Sequence, residues 1–118
     1  MTFAREWIMK CPKCEQIELE AQVVENVEVD RCPDCGGIWF DQDELSRTLS
    51  LKASELKPLT KGKERPEWNK LTGTCPVDKT DLIRVCSQHN RAIILDRCPE
   101  CLGVWLDGGE FKRLIKKV

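Results

Sequence analysis

The run Asp30-Arg31-Cys32-Pro33-Asp34-Cys35-Gly36-Gly37-Ile38-Trp39-Phe40-Asp41 returns 66 positions later as Asp96-Arg97-Cys98-Pro99-Glu100-Cys101-Leu102-Gly103-Val104-Trp105-Leu106-Asp107. A repeat of this kind divides a 118-residue chain into two units of roughly forty residues. Units that small bury too little apolar surface to fold on a core alone and need cross-links or a metal. Eight cysteines are available for either.

Compartment decides between them. Residues 1–10 carry Arg5, Glu6 and Lys10 among few apolar side chains, which is not a secretory leader, and no apolar run is long enough to span a membrane. The expected location is therefore cytoplasmic, with thiols reduced, and paired Cys-x-x-Cys motifs there read as metal ligands rather than disulfides.

The first unit reads as knuckle, hairpin, knuckle, helix. Cys11-Pro12-Lys13-Cys14 opens it, with a proline that favours a tight turn. Leu19, Ala21 and Val23 then alternate with polar neighbours, Glu25-Asn26 is a turn candidate, and Val27 and Val29 alternate with Glu28 and Asp30, as in a half-buried antiparallel hairpin. The return strand brings Cys32 and Cys35 beside Cys11 and Cys14. Seventeen residues separate Cys14 from Cys32, within the spacing of a four-cysteine zinc site. Iron in a rubredoxin-like centre uses similar knuckles, so the motif fixes metal binding more firmly than the metal.

After the second knuckle, Ile38-Trp39-Phe40 forms an apolar patch expected to cover the metal. Asp41 with Glu44, and Asp107 with Glu110, have capping-box spacing, with Phe40/Leu45 and Leu106/Phe111 as hydrophobic staples. Leu45, Leu49, Ala53 and Leu56 predict one helix that stops at Pro58. These readings place a lead-in at 1–10, a first unit at 11–57, an exposed linker at 58–74 and a second unit at 75–118. Phe3, Trp7 and Ile8 share a face of the lead-in, and Trp68 is an aromatic expected to dock from the polar linker.

The second unit departs from the first. Cys75-Pro76-Val77-Asp78 puts an aspartate where the fourth cysteine belongs. Cys75, Cys98 and Cys101 with Asp78 as oxygen ligand is the first model for this site. In a second, Asp78 accepts backbone amides of the turn; in a third, Cys86 or His89 replaces it. Cys75 to Cys98 is two residues longer than Cys11 to Cys32, which places Cys86 and His89 at the hairpin tip. Ala92-Ile93-Ile94-Leu95 is apolar on both faces and calls for a second neighbour, which includes another copy of the chain as a homodimer partner.

Cys11-x-x-Cys14, the run from Asp30 through Asp41, and Glu44 together resemble the transcription-factor-IIB-type zinc-ribbon family of small prokaryotic proteins. Cys75 through Glu110 resembles it again, departing at Asp78, Leu102 and the longer tip. The resemblance implies a small metal-stabilised α+β fold of two tandem zinc ribbons, each a hairpin between two knuckles followed by a capped helix. It also implies one Zn2+ on Cys11, Cys14, Cys32 and Cys35 and a second on Cys75, Cys98 and Cys101, and an association with transcription.

Three functions follow. The favoured one is a non-catalytic zinc-binding adaptor or regulator acting through a protein partner, since the chain has one histidine, no nucleophile beside a base and no phosphate loop. Residues 1–50 hold 5 basic and 11 acidic side chains (net −6), which argues against a broad phosphate-binding face. The linker basics Lys57, Lys61, Lys63, Arg65 and Lys70, with Lys112, Arg113, Lys116 and Lys117 at the end, give the alternative of nucleic-acid binding. The incomplete second site gives the alternative of a metal- or redox-responsive switch; three thiolates make zinc too poor a Lewis acid for catalysis.

Overall fold

The computed structural model describes residues 9–60, 71–87, 91 and 93–116. Within them lie β1 (Glu20–Val24), β2 (Val27–Arg31), β3 (Ile38–Phe40), α1 (Glu44–Leu49), α2 (Ala53–Leu56), a 3-10 turn (Lys57–Thr60), β4 (Ile83–Cys86), β5 (Ile94–Arg97), β6 (Val104–Leu106) and α3 (Gly108–Lys116). Phe3, Trp7, Ile8, Trp68 and His89 lie outside the described residues.

Each repeat forms a hairpin plus a third short strand, and the two third strands meet. The result is one antiparallel sheet in the order β1-β2-β3-β6-β5-β4. In its central ladder Ile38 faces Leu106, Trp39 faces Trp105 and Phe40 faces Val104. Equivalent residues are thus related by an approximate two-fold axis through the tryptophan pair. The run expected to cover the metal site is also the strand that fuses the two ribbons.

At the centre of the sheet, successive side chains of β3 and β6 alternate between two buried faces. On one, Ile38, Phe40, Leu106, Val27, Val29 and Leu95 pack beneath the helices with Leu45, Leu56, Phe111 and Leu114. Phe40 and Phe111 stack with centroids 5.8 Å apart, so the last helix crosses onto the first ribbon's strand. On the other, Trp39 and Trp105 form one cluster with Met9, Leu19, Leu82 and the knuckle cysteines.

Four expectations change. Val24, not Val23, faces the core: Val23 is 65 % exposed, Ala21 is exposed and Val24 is buried. Glu25 and Asn26 both take positive φ (47° and 71°), the backbone of a two-residue hairpin turn, and the turn pairs Val24 with Val27. That register puts Val24 on the inward face of Val27 and Val29.

The single helix through Leu56 breaks. Ser50 Oγ donates to the Arg47 carbonyl at 2.6 Å, and Glu55 accepts the Lys52 N–H at 2.8 Å, ending one helix and capping another. The α-helix does end just before Pro58, as expected, and Pro58 enters the first turn of the 3-10 segment that follows, where its missing N–H is harmless. That segment buries Leu59 to 2 % exposure in the helix-side core, so the expected linker at 58–74 begins inside the fold. At its other end Gly73 abuts the Pro12 carbonyl. Finally, Ile93 and Leu95 are buried but Ile94 is 44 % exposed, so among the described residues this strand is covered on one face.

Candidate metal centres

The hairpins return each repeat's second knuckle to its first. Cys11, Cys14, Cys32 and Cys35 form one cluster, and Cys75, Asp78, Cys98 and Cys101 a second; in each, all four ligand atoms lie within 4.8 Å of one another. Sulfur–sulfur separations are 3.7 Å for Cys11–Cys35, 3.8 Å for Cys14–Cys32 and 3.7 Å for Cys75–Cys101. A tetrahedron with zinc–sulfur bonds of 2.3 Å has an edge of about 3.8 Å. Asp78 Oδ1 and Oδ2 both stand 3.5 Å from Cys98 Sγ, against about 3.6 Å for a mixed sulfur–oxygen edge around zinc. The two donor sets fit two zinc ions.

The backbone prepares those sulfurs for negative charge. Cys14 N–H donates to Cys11 Sγ at 3.2 Å and Cys35 N–H to Cys32 Sγ at 3.4 Å. In the second cluster Val77 and Asp78 N–H groups donate to Cys75 Sγ at 3.3 and 3.5 Å, and Cys101 N–H to Cys98 Sγ at 3.4 Å. Such bonds favour thiolate over thiol. Within the first cluster, hydrogen bonds from Cys11 and Cys35 hold the Cys32 thiol far below its usual range, and the bonds Cys11 makes to Cys32 and Cys35 push Cys11 up. Four such sulfurs share charge poorly with protons alone, and a divalent cation resolves that conflict.

The second cluster keeps the first one's backbone despite its substitutions. Lys79 and Leu102 have φ of 67° and 66°, matching Glu15 (63°) and Gly36 (75°) at the equivalent positions. Leucine in that left-handed conformation costs on the order of 1 kcal/mol, so ribbon geometry prevails over local preference. Asp78 combines two of the roles open to it from sequence. Its Oδ1 accepts the Thr80 N–H at 3.0 Å while its carboxylate completes the cluster, and the Thr80 amide, more than any other contact, lowers its pKa to about 2. The chief difference between the centres is exposure: three of the first four ligands are buried, whereas Asp78 is exposed. Cys86 ends β4, is exposed, and belongs to neither cluster.

Sequence reading missed the ion cluster between the ribbons. Lys13, in the first knuckle, has a side chain of 0 % exposure whose Nζ lies 3.1 Å from Asp96 Oδ2 and 3.1 Å from Asp107 Oδ2, both in the second ribbon. Asp107 Oδ1 also accepts Trp105 Nε1–H at 3.0 Å, just as Asp41 Oδ1 accepts Trp39 Nε1–H at 3.1 Å. The carboxylates expected to cap helices thus fasten the two tryptophans instead, and Glu44 alone completes its half of the first box, accepting the Asp41 N–H at 2.9 Å. No spacing rule signals Lys13, because the second copy has Val77 at that position.

Burial, and then the neighbouring Asp107 charge, push Glu110 up to about 7. Its folded-state pKa therefore exceeds its unfolded value of 4.5, so the cost to stability builds as pH rises from 4.5 to about 7 and is fully present above that. Glu110→Gln is expected to raise the unfolding free energy of the metal-loaded protein from urea titration by about 1–3 kcal/mol at pH 8, and by less than half as much at pH 5.5. Equal effects at both pH values would contradict this.

No helix among the described residues is long and apolar enough to cross a membrane. Comparison with curated proteins and with solved structures gave no match. A family model described as transcription factor zinc-finger, of the TFIIB zinc-ribbon type, matches residues 10–51 and 74–117, the two stretches that carry the clusters. The chain belongs to that zinc-ribbon family, in two tandem copies.

Proposed function

We propose that the protein is a non-catalytic zinc-binding adaptor that engages a protein partner, with Cys11, Cys14, Cys32 and Cys35 holding one structural zinc and Cys75, Asp78, Cys98 and Cys101 the other. Four-ligand centres of this kind replace a core rather than activate a substrate. The observation that carries the reading is the rim of the second ribbon. Strand β4 ends the sheet, and among the described residues nothing pairs with its outer edge. Ile83 and Ile94 are 47 % and 44 % exposed on this hairpin. Beside it a cleft of about 300 Å3 opens between the start of α1 and the second hairpin, with Leu45, Val85, Leu95, Leu102 and Val104 among its lining residues.

A free edge next to a cleft that mixes apolar residues with Asp41, Asp43, Ser87 and Arg97 suits an extended peptide, whose backbone adds to β4 while a side chain enters the cleft. A partner in the transcription machinery accords with the family. The nucleic-acid reading rests largely on Lys61, Lys63, Arg65 and Lys70, which lie outside the described residues.

The test is cross-linking capture from the native host with the wild-type chain and with Ile83→Glu. The expected result is a partner that the variant loses while retaining its metal. Capture of the same proteins by both, or of none by the wild type, would overturn the proposal.

A further inference from the structure

Buried lysine is rare because its ammonium must be paired, and Lys13 obtains two ion pairs from the other ribbon. Its backbone position belongs to the first centre. It is flanked by Cys11 and Cys14, in a turn closed by Cys14 N–H on Cys11 Sγ and by Glu15 N–H on the Cys11 carbonyl at 2.9 Å. In a unit with so little core, that turn holds its shape only while the metal does.

Two of its partners belong to the second centre. Asp96 lies on β5, two residues before Cys98, and is 2 % exposed; Asp107 follows β6 and fastens Trp105. Trp105, Cys75 and Cys98 share one buried cluster with Trp39, Cys11, Cys32 and Cys35. Among the described residues a second cation near Asp96 is Arg84, 3.7 Å away and itself 38 % exposed. Three thiolates and Asp78 already give a zinc-loaded second centre a formal charge of −2, and two uncompensated carboxylates in the same interior would add to it. The relation is one-sided. Val77, which occupies the position of Lys13 in the second knuckle, carries no charge and is 38 % exposed.

We propose that Lys13 is a positioning residue that the first knuckle supplies to the second metal centre, so that metal in the first centre strengthens metal binding in the second. Coupling of this kind is reciprocal in free energy, and the four-cysteine centre, as the better ligand set, fills first. The chain then gains its second metal only after its first ribbon is built. The coupling rests on both clusters holding metal.

The test is a cobalt(II) titration of the metal-free full-length chain, because four-sulfur and three-sulfur, one-oxygen centres absorb differently and each can be followed separately. In the wild type the four-sulfur bands should appear first. Lys13→Met should weaken the second centre on the order of tenfold or more while changing the first by much less. Removing the stranded charge as well, in Lys13→Met/Asp96→Asn/Asp107→Asn, should restore the second centre to within about threefold of wild type, a rescue that general unfolding would not give. Lys13→Met within twofold of wild type, or no rescue by the neutral triple variant, overturns the coupling alone. A wild-type chain that takes up a single cobalt ion overturns the two-centre reading together with it.

Discussion

Replacing Cys32 with serine is expected to expel the metal from the first centre and melt the first ribbon. Cys32 is 0 % exposed, and its sulfur accepts the Cys35 N–H and lies 3.8 Å from the Cys14 sulfur. A serine hydroxyl is both shorter and far harder to deprotonate. Structural zinc contributes roughly 10–16 kcal/mol to small domains of this kind, as much as or more than the 5–15 kcal/mol by which whole domains are stable. With the centre lost, the β1–β2 hairpin is held against β3 only by the short β2–β3 ladder and the shared apolar core. Native mass spectrometry should show at least one zinc fewer per chain, and circular dichroism a loss of strand signal. Cys86→Ser should change neither, since Cys86 is exposed and outside both clusters. Asp78→Ala should fall between them, lowering metal occupancy of the second centre while the rest of the sheet persists. A Cys32→Ser chain with its full metal and an unaltered unfolding curve would mean that the first cluster is not a metal centre.

What could be read from the residues divides along the range of the interactions. The knuckles, the hairpin turn at Glu25-Asn26 and the placement of Cys86 at the end of an outgoing strand are local consequences of spacing, and sequence spacing conveys them. Asp78 was legible as a position but not as a choice, because only coordinates place its carboxylate against Cys98 and the Thr80 amide together. Lys13 was not legible at all. Its role depends on Asp96 and Asp107, more than eighty residues away in sequence, meeting it across a junction that neither repeat encodes separately. The helix break at Ser50 failed for a different reason: an apolar stripe continues through it, and a side-chain hydrogen bond overrides the stripe.

The same junction yields the second large effect. Gly37 and Gly103 hold equivalent positions, and a methyl group built on Gly37 would overlap the Trp105 indole, while one on Gly103 would overlap the Trp39 indole. Each ribbon's tryptophan therefore abuts the other ribbon's glycine, with both rings at 0 % exposure and each indole nitrogen tied to an aspartate. Neither ring can swing aside without breaking that bond and the packing around two metal centres. Gly103→Ala is expected to cost about 3 kcal/mol or more, the upper range for overpacking a rigid core, and Gly37→Ala a similar amount. Urea unfolding of the metal-loaded protein would measure it, and near-ultraviolet circular dichroism would report the displaced indoles. Gly36→Ala is the contrasting case. Gly36 has φ of 75°, but Leu102 holds the same conformation in the second ribbon, so a side chain there should cost only about 1 kcal/mol. If Gly36→Ala proved the more damaging substitution, backbone strain at the knuckles rather than interlocking at the axis would be what limits the fold. If instead the two axis glycines dominate and their double substitution costs less than the sum of the singles, the two contacts form one junction, broken by either change. A second copy of a ribbon would then serve this chain first as the other half of its own core.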